Sequence, residues 1–200
     1  MGRPHCIGVT LSQVHPDHKR ARLTKFIVMK YIIGIDPGLN GGMAVIEQDN
    51  GSLIHVADTP TAKVQSGKKT KSVHIESEMA NLLKAYSTGE AMAAIELVHA
   101  MPKQGVVSQF NFGMGFGLWI GMLAALQIPY TKVTPKRWKK HMLDGMGKEK
   151  AASCIRAQQL YPSAELFTPR GRALDGRGDA LLIAAYHHQT ITSQERDIES

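Results

Sequence analysis

Cysteine is nearly missing from this chain. Its 200 residues include two, Cys6 and Cys154, far apart and outside any CxxC or Cys/His ligand spacing. That argues against a disulfide-stapled scaffold or a zinc module and leaves two structural thiols in a reducing compartment. No run approaches eighteen consecutive apolar residues, so no membrane span is expected. There is no internal repeat, and after residue 30 no stretch long enough to separate domains. Acid is scarce at the start: residues 1–30 hold Asp17 against Arg3, Lys19, Arg20, Arg22, Lys25 and Lys30. The other 18 basic and 16 acidic residues nearly cancel, so the formal net charge of +7 belongs mostly to this leader. A nucleic-acid signal in the body must come from local clusters.

The leader has no apolar h-region, which excludes a secretory signal peptide. Met29, directly before "KYIIGID", reads as the natural start, with 1–29 a disordered basic extension. A basic arm touching nucleic acid and a targeting segment are the other readings, the latter weakened by a shortage of serine. What remains, 43% hydrophobic and 20% charged overall, suffices for one domain with a substantial core, set at 30–190 with a tail over 191–200.

From Lys30 the pattern alternates. "KYIIGID" reads as a near-continuous apolar strand, "GMAVIEQ" (Gly42–Gln48) as its return, and "LIHVADT" (Leu53–Thr59) as a third strand after an Asn-Gly turn. Tight turns make these three antiparallel. "KVQSGKKTKS" (Lys63–Ser72), with four lysines, reads as a solvated, mobile loop. A helical stripe over Val73–Ser87 leads to a fourth strand, "EAMAAIEL" (Glu90–Leu97). The helical crossover makes that strand parallel to the first. A long helix is predicted from about 106 to 127, a short strand at Tyr130–Thr134, and helices near 148–160 and 173–188. The sum is an α/β domain: three antiparallel strands extended by parallel ones, flanked by helices, the element order of an RNase H-like fold.

Four acids stand out. Asp36 ends the first strand and Glu96 ends the fourth; if these strands are parallel neighbours, both carboxylates reach the same sheet edge. Asp175 and Asp179, spaced i, i+4, share one face at the start of the last helix. Plainer readings exist: Asp36 opening a Pro-Gly turn, Asp175 capping the helix, Asp179 serving its dipole. Together, however, half-buried carboxylates repel unless a cation neutralises them. Hard divalent cations, Mg²⁺ or Mn²⁺, do so through oxygen ligands. A pair of them roughly 4 Å apart can activate water and stabilise the leaving oxygen of a phosphodiester. "TPKRWKKHM" gathers Lys136, Arg137, Lys139 and Lys140 around Trp138. With Lys148 and Lys150 it is the strongest basic patch in the body, suited to phosphate contacts.

In these residues the chain resembles the RuvC-type Holliday junction resolvases, more closely their phage and organellar relatives. The matching pieces are "IIGIDPGLNGGMAVI", "AAIELVHAMPKQGVVSQFNFG", "VTPKRWKKHM", "GKEKAAS" and "LDGRGDALLIAAYH", spread over about 30–188. The resemblance implies an RNase H-like fold, a homodimer, no small-molecule cofactor, no membrane, and Mg²⁺-dependent hydrolysis of branched DNA to 5′-phosphate and 3′-hydroxyl ends, with two ions per site. It implies metal-binding roles for Asp36, Glu96, Asp175 and Asp179. The bacterial pattern puts the penultimate metal residue three positions before the final Asp, which here is Gly176. It also puts a junction-opening aromatic where this chain has His99. Lys103 and Gln104 would sit in a loop at the DNA, Lys139 and Lys150 near the scissile phosphate, and the Gly-rich helix after Phe110 at the dimer interface. The location implied is the cytoplasm of a bacterial or phage-infected cell, with organellar targeting by residues 1–28 the lesser alternative. Rival readings are a nuclease for flaps or forks, a non-catalytic DNA-binding module, and an ATP-binding protein of the actin and sugar-kinase fold. The last needs a second phosphate loop and about twice the length.

Overall fold

A strand covered on both faces has no use for polar side chains, and after half-buried Tyr31 "IIGI" supplies none. In the computed structural model this stretch is β1 (Tyr31–Asp36), the centre of a five-stranded sheet, with Ile32, Ile33 and Ile35 fully buried. The structure describes residues 29–99, 105–147, 149 and 151–199, with side chains to 194. The other elements are β2 (Gly42–Glu47), β3 (Leu53–Asp58), β4 (Thr61–Ser66), β5 (Lys69–His74), α1 (Glu76–Lys84), β6 (Ala91–Glu96), α2 (Val106–Ala125), β7 (Tyr130–Val133), α3 (Pro135–Met142), α4 (Ala152–Leu160) and α5 (Asp175–Glu199).

The sheet order is β3-β2-β1-β6-β7, with β1–β2 and β2–β3 antiparallel and β1–β6 and β6–β7 parallel. This is the expected meander extended by parallel strands. Side-chain alternation along β1 splits the core in two: Ile32 joins a cluster with α3, α4 and α5, while Ile33 and Ile35 join one with α1 and α2. Gly34 shares the Ile32 face, where a Cβ would strike the Ala180 carbonyl and stand 2.5 Å from the Ala184 nitrogen. The absence of that one carbon lets α5 lie on the central strand backbone to backbone.

Three expectations change. Lys63–Ser72 is not a loop: β4 and β5 pair in register from Thr61–His74 to Ser66–Lys69, forming a separate two-stranded sheet. Val73 and His74 therefore belong to a strand, and α1 starts at Glu76. The last helix, expected near 173–188, runs on as α5 to Glu199. α2 is long and apolar enough to cross a bilayer by length and composition, yet Gly115, Trp119 and Leu123 are buried along one side of it. Cys154 is free and buried in the core; Cys6 lies outside the described residues.

Candidate active site

Parallel pairing sets Ile35 of β1 beside Ile95 of β6, so Asp36 and Glu96 leave the same edge of the sheet. α5 delivers the other two acids, and glycine decides how close it comes. A Cβ on Gly176 would collide with the Asn40 carbonyl and the backbone of Gly41, and one on Gly42 would stand 2.8 Å from the Gly176 carbonyl. Gly42 thus admits the first turn of α5, while Gly38 and Gly41 line the cleft beside the acids. An acid cannot stand at position 176, and Asp175 lies beside it. Arg177 fastens the same turn to β3 through a bidentate pair with Asp58, Nε to Oδ1 at 2.8 Å and Nη2 to Oδ2 at 3.0 Å. The Leu174 carbonyl accepts from the Gly178 N–H, so Leu174 holds the N-cap place and Asp175 is the first helical residue.

Asp36, Glu96, Asp175 and Asp179 all line one cleft of about 470 Å³, open to solvent, with the β1–β2 turn on one side and Ser108, Asn111 and Phe112 of α2 on another. Burial, then the charges of Asp179 and Glu96, push Asp36 up to about 7 against weak relief from the Gly38 N–H at 3.4 Å. Burial also raises Glu96 and Asp179. Each has a donor that opposes the shift. Trp138 Nε1 donates to Glu96 Oε2 at 2.7 Å. Lys139 Nζ stands 3.5 Å from Asp179 Oδ2 and 5.0 Å from the Trp138 ring centroid, and the Ser153 side chain hydrogen-bonds Asp179. Among the described residues Asp175 Oδ1, which is buried, has no hydrogen-bond partner.

Among the described residues, no group of three acids, histidines or cysteines is drawn tightly enough to hold an ion as it stands. The donor set still fits a hard divalent cation: four carboxylates on one cleft, no thiolate or imidazole among them, and one carboxylate oxygen left unsatisfied.

Of the basic patch, among the described residues, Lys139 alone is paired with these acids. Arg137 and Lys140 line a separate recess with His141, Asp144 and Tyr186, and Lys136 is exposed on α3. His99 is exposed three residues past the end of β6. Lys103, Gln104, Lys148 and Lys150 lie outside the described residues. Sequence reasoning missed the Trp138–Glu96 bond and Ser153. A Trp beside a basic run reads as core or stacking surface, and nothing local says that its indole N–H meets an acid 42 positions away.

By sequence, the chain matches no family model and no curated protein. By structure it is similar to Thermus thermophilus RuvC in complex with a Holliday junction substrate: TM-score 0.53, 17% identity, 79% of this chain and 92% of that one covered. It is also similar to the yeast mitochondrial Holliday junction resolvase Ydc2, with TM-score 0.51, 14% identity and coverage of 86% and 83%. The chain has the RNase H-like fold of RuvC. That likeness extends over most of both chains, so it concerns the fold as a whole rather than one local motif.

Proposed function

We propose that this chain is a divalent-cation-dependent DNA endonuclease that resolves four-way junctions, leaving 5′-phosphate and 3′-hydroxyl ends. The observation that carries the reading is the meeting of Asp36, Glu96, Asp175 and Asp179, from β1, β6 and α5, in one open cleft beside Lys139. A non-catalytic DNA module would gain nothing from four carboxylates facing a polyanion, since they repel it. The substrate class is supported by the RuvC-like fold, one member of which was solved on a Holliday junction.

Asp36, Glu96, Asp175 and Asp179 would hold two Mg²⁺ or Mn²⁺ ions. Bound there, such ions neutralise the phosphate and lower the pKa of a water. The chain's own groups prepare that site. Asp36, at about 7, holds a proton part of the time at neutral pH and must release it to become a ligand. Trp138 fixes the rotamer of Glu96, and Lys139 offers a cation at the cleft mouth where a backbone phosphate enters.

Resolution also needs two clefts, and α2 offers the means. Val106, Val107 and Phe110 are 81%, 74% and 68% exposed, and along the same helix Gly113, Gly117 and Gly121 have nothing within 4 Å of a Cβ position. Glycines four apart beside exposed apolar side chains suit close packing against a second copy of α2. A two-fold dimer then presents two clefts to a junction that is itself near two-fold symmetric.

The test compares cutting of a four-way junction, a flap and a linear duplex with Mg²⁺ present. Paired, symmetric nicks confined to the junction are expected. Equal cutting of all three sinks the substrate, nicks on single strands without their partners sink the dimer, and no cutting of any of the three sinks the enzyme.

A further inference from the structure

The β4–β5 hairpin belongs to no part of the site described above. From 59 to 75 there is no acidic residue, while Lys63, Lys68, Lys69 and Lys71 are all exposed. Among the described residues none of these four lysines enters an ion pair. A hairpin standing by itself is marginal in water, and this one offers only half-buried Ala62, Val64 and Val73 as apolar cover. Its register is held by polar rungs on one face: Lys63 Nζ donates to Ser72 Oγ at 2.7 Å and Thr70 Oγ1 to Gln65 Oε1 at 3.0 Å. The turn has Gly67 at its first central position with φ +62°, as a II′ turn asks.

The root, unlike the tip, is anchored beside the acids. Thr61 lines a recess that also holds Asn40 and Asp175. His74, opposite Thr61 in the ladder, is buried against α2, where a Cβ on Gly115 would come 2.9 Å from its ring. Six residues per strand carry the hairpin about 20 Å from that root. The polar rungs Lys63–Ser72 and Gln65–Thr70 continue the face of Thr61 and His74 outward.

We propose that this hairpin is a clamp on the sugar-phosphate backbone of a DNA arm leaving the acid cleft, an inference that rests on the nuclease reading above. Charge and shape both favour it. Duplex DNA offers one negative charge per about 1.7 Å of axis, so a 20 Å arm bearing four uncompensated lysines meets phosphate along its whole length. A protein partner would call for apolar or aromatic anchors, and beyond half-buried Val64 the hairpin has none. The lysines add affinity without reading sequence.

The experiment measures binding of a labelled four-way junction by fluorescence anisotropy, without divalent cation, from 50 to 300 mM NaCl. It compares the wild-type chain, the Lys63→Gln/Lys68→Gln/Lys69→Gln/Lys71→Gln variant and the matching four-fold Lys→Arg variant. The Gln variant is expected to bind more weakly, with a plot of log affinity against log salt shallower by about three and a half, near 0.9 per lost phosphate contact. The Arg variant, which keeps the charge, should retain the wild-type slope. An unchanged slope in the Gln variant overturns the clamp alone, as does equal loss in the Arg variant. A wild-type chain that binds no junction overturns both the clamp and the nuclease reading.

Discussion

Where β1 meets α5, backbone packs on backbone; along the outer part of the β4–β5 hairpin, backbone pairs with its partner strand. Glycine serves both, to opposite ends. Gly34 and Gly176 are glycines because another backbone fills the space of their side chains, and Gly67 because its φ of +62° strains most L side chains, with nothing within 4 Å of its Cβ position among the described residues. Charge divides in the same way. The cleft gathers four acids and burial raises the pKa of three of them, whereas the hairpin holds four exposed lysines and no acid. A rigid, self-repelling centre and a thin cationic arm share one rim. The contrast teaches that the fold spends its packing on holding like charges together and leaves the opposite charge in solvent.

The largest test of that contrast is Asp36→Asn. Junction cleavage should fall below about one-thousandth of wild type, a loss of ~4 kcal/mol of transition-state stabilisation, while junction binding persists. The same change should stabilise the cation-free protein. Asp36 has a folded pKa near 7 against an ordinary 3.8. The native state therefore binds this proton more tightly than the unfolded chain, and its contribution to stability is lost as pH rises from about 4 to 7. At pH 8 Asn should gain about 1–2 kcal/mol after discounting for the solvent-open side, seen as a melting temperature higher by about 2–6 °C. At pH 4 that advantage should largely vanish. A variant less stable than wild type at pH 8 would mean that the carboxylates are not in conflict.

Gly34→Ala comes next. Its methyl group must displace α5 from β1, costing about 2–3 kcal/mol in the global unfolding transition measured by denaturant. Smaller is Trp138→Phe, which removes the donor to Glu96. Cleavage should drop about tenfold, or ~1.4 kcal/mol. Because that bond lowers the Glu96 pKa, the acid limb of the pH–rate profile should move to higher pH. A tenfold loss with an unmoved profile would assign Trp138 to packing alone. The smallest effect belongs to Gly67→Ala. It should strain the hairpin turn by about 1 kcal/mol and speed amide exchange in β4 and β5, leaving the global transition nearly unmoved. Equal costs at Gly34 and Gly67 would erase the distinction between the two regions.

The hairpin shows why part of this was illegible. "KVQSGKKTKS" has no apolar alternation, since its pairing energy lies in main-chain bonds and two polar rungs, so composition reads it as loop. Trp138 was equally hidden, because its partner Glu96 comes from a strand that adjoins α3 only in three dimensions. The strands of the main sheet were legible for the converse reason: "YIIGI" and "AMAAI" carry their burial in their own composition.

The sequence by itself determined the mixed sheet, the strand ends on which Asp36 and Glu96 sit, and the shared helical face of Asp175 and Asp179. Each follows from a period of two or 3.6 residues and from turn chemistry, which act over short stretches of chain. Only the tertiary structure decided that the four acids share one cleft. It also decided that Gly176 must be bare to let α5 in, that Trp138 and Lys139 hold two of the acids, and that the lysine-rich segment stands as an arm at the rim. Those outcomes depend on sub-ångström fit and on pKa shifts between groups far apart in sequence, and no local pattern encodes a distance.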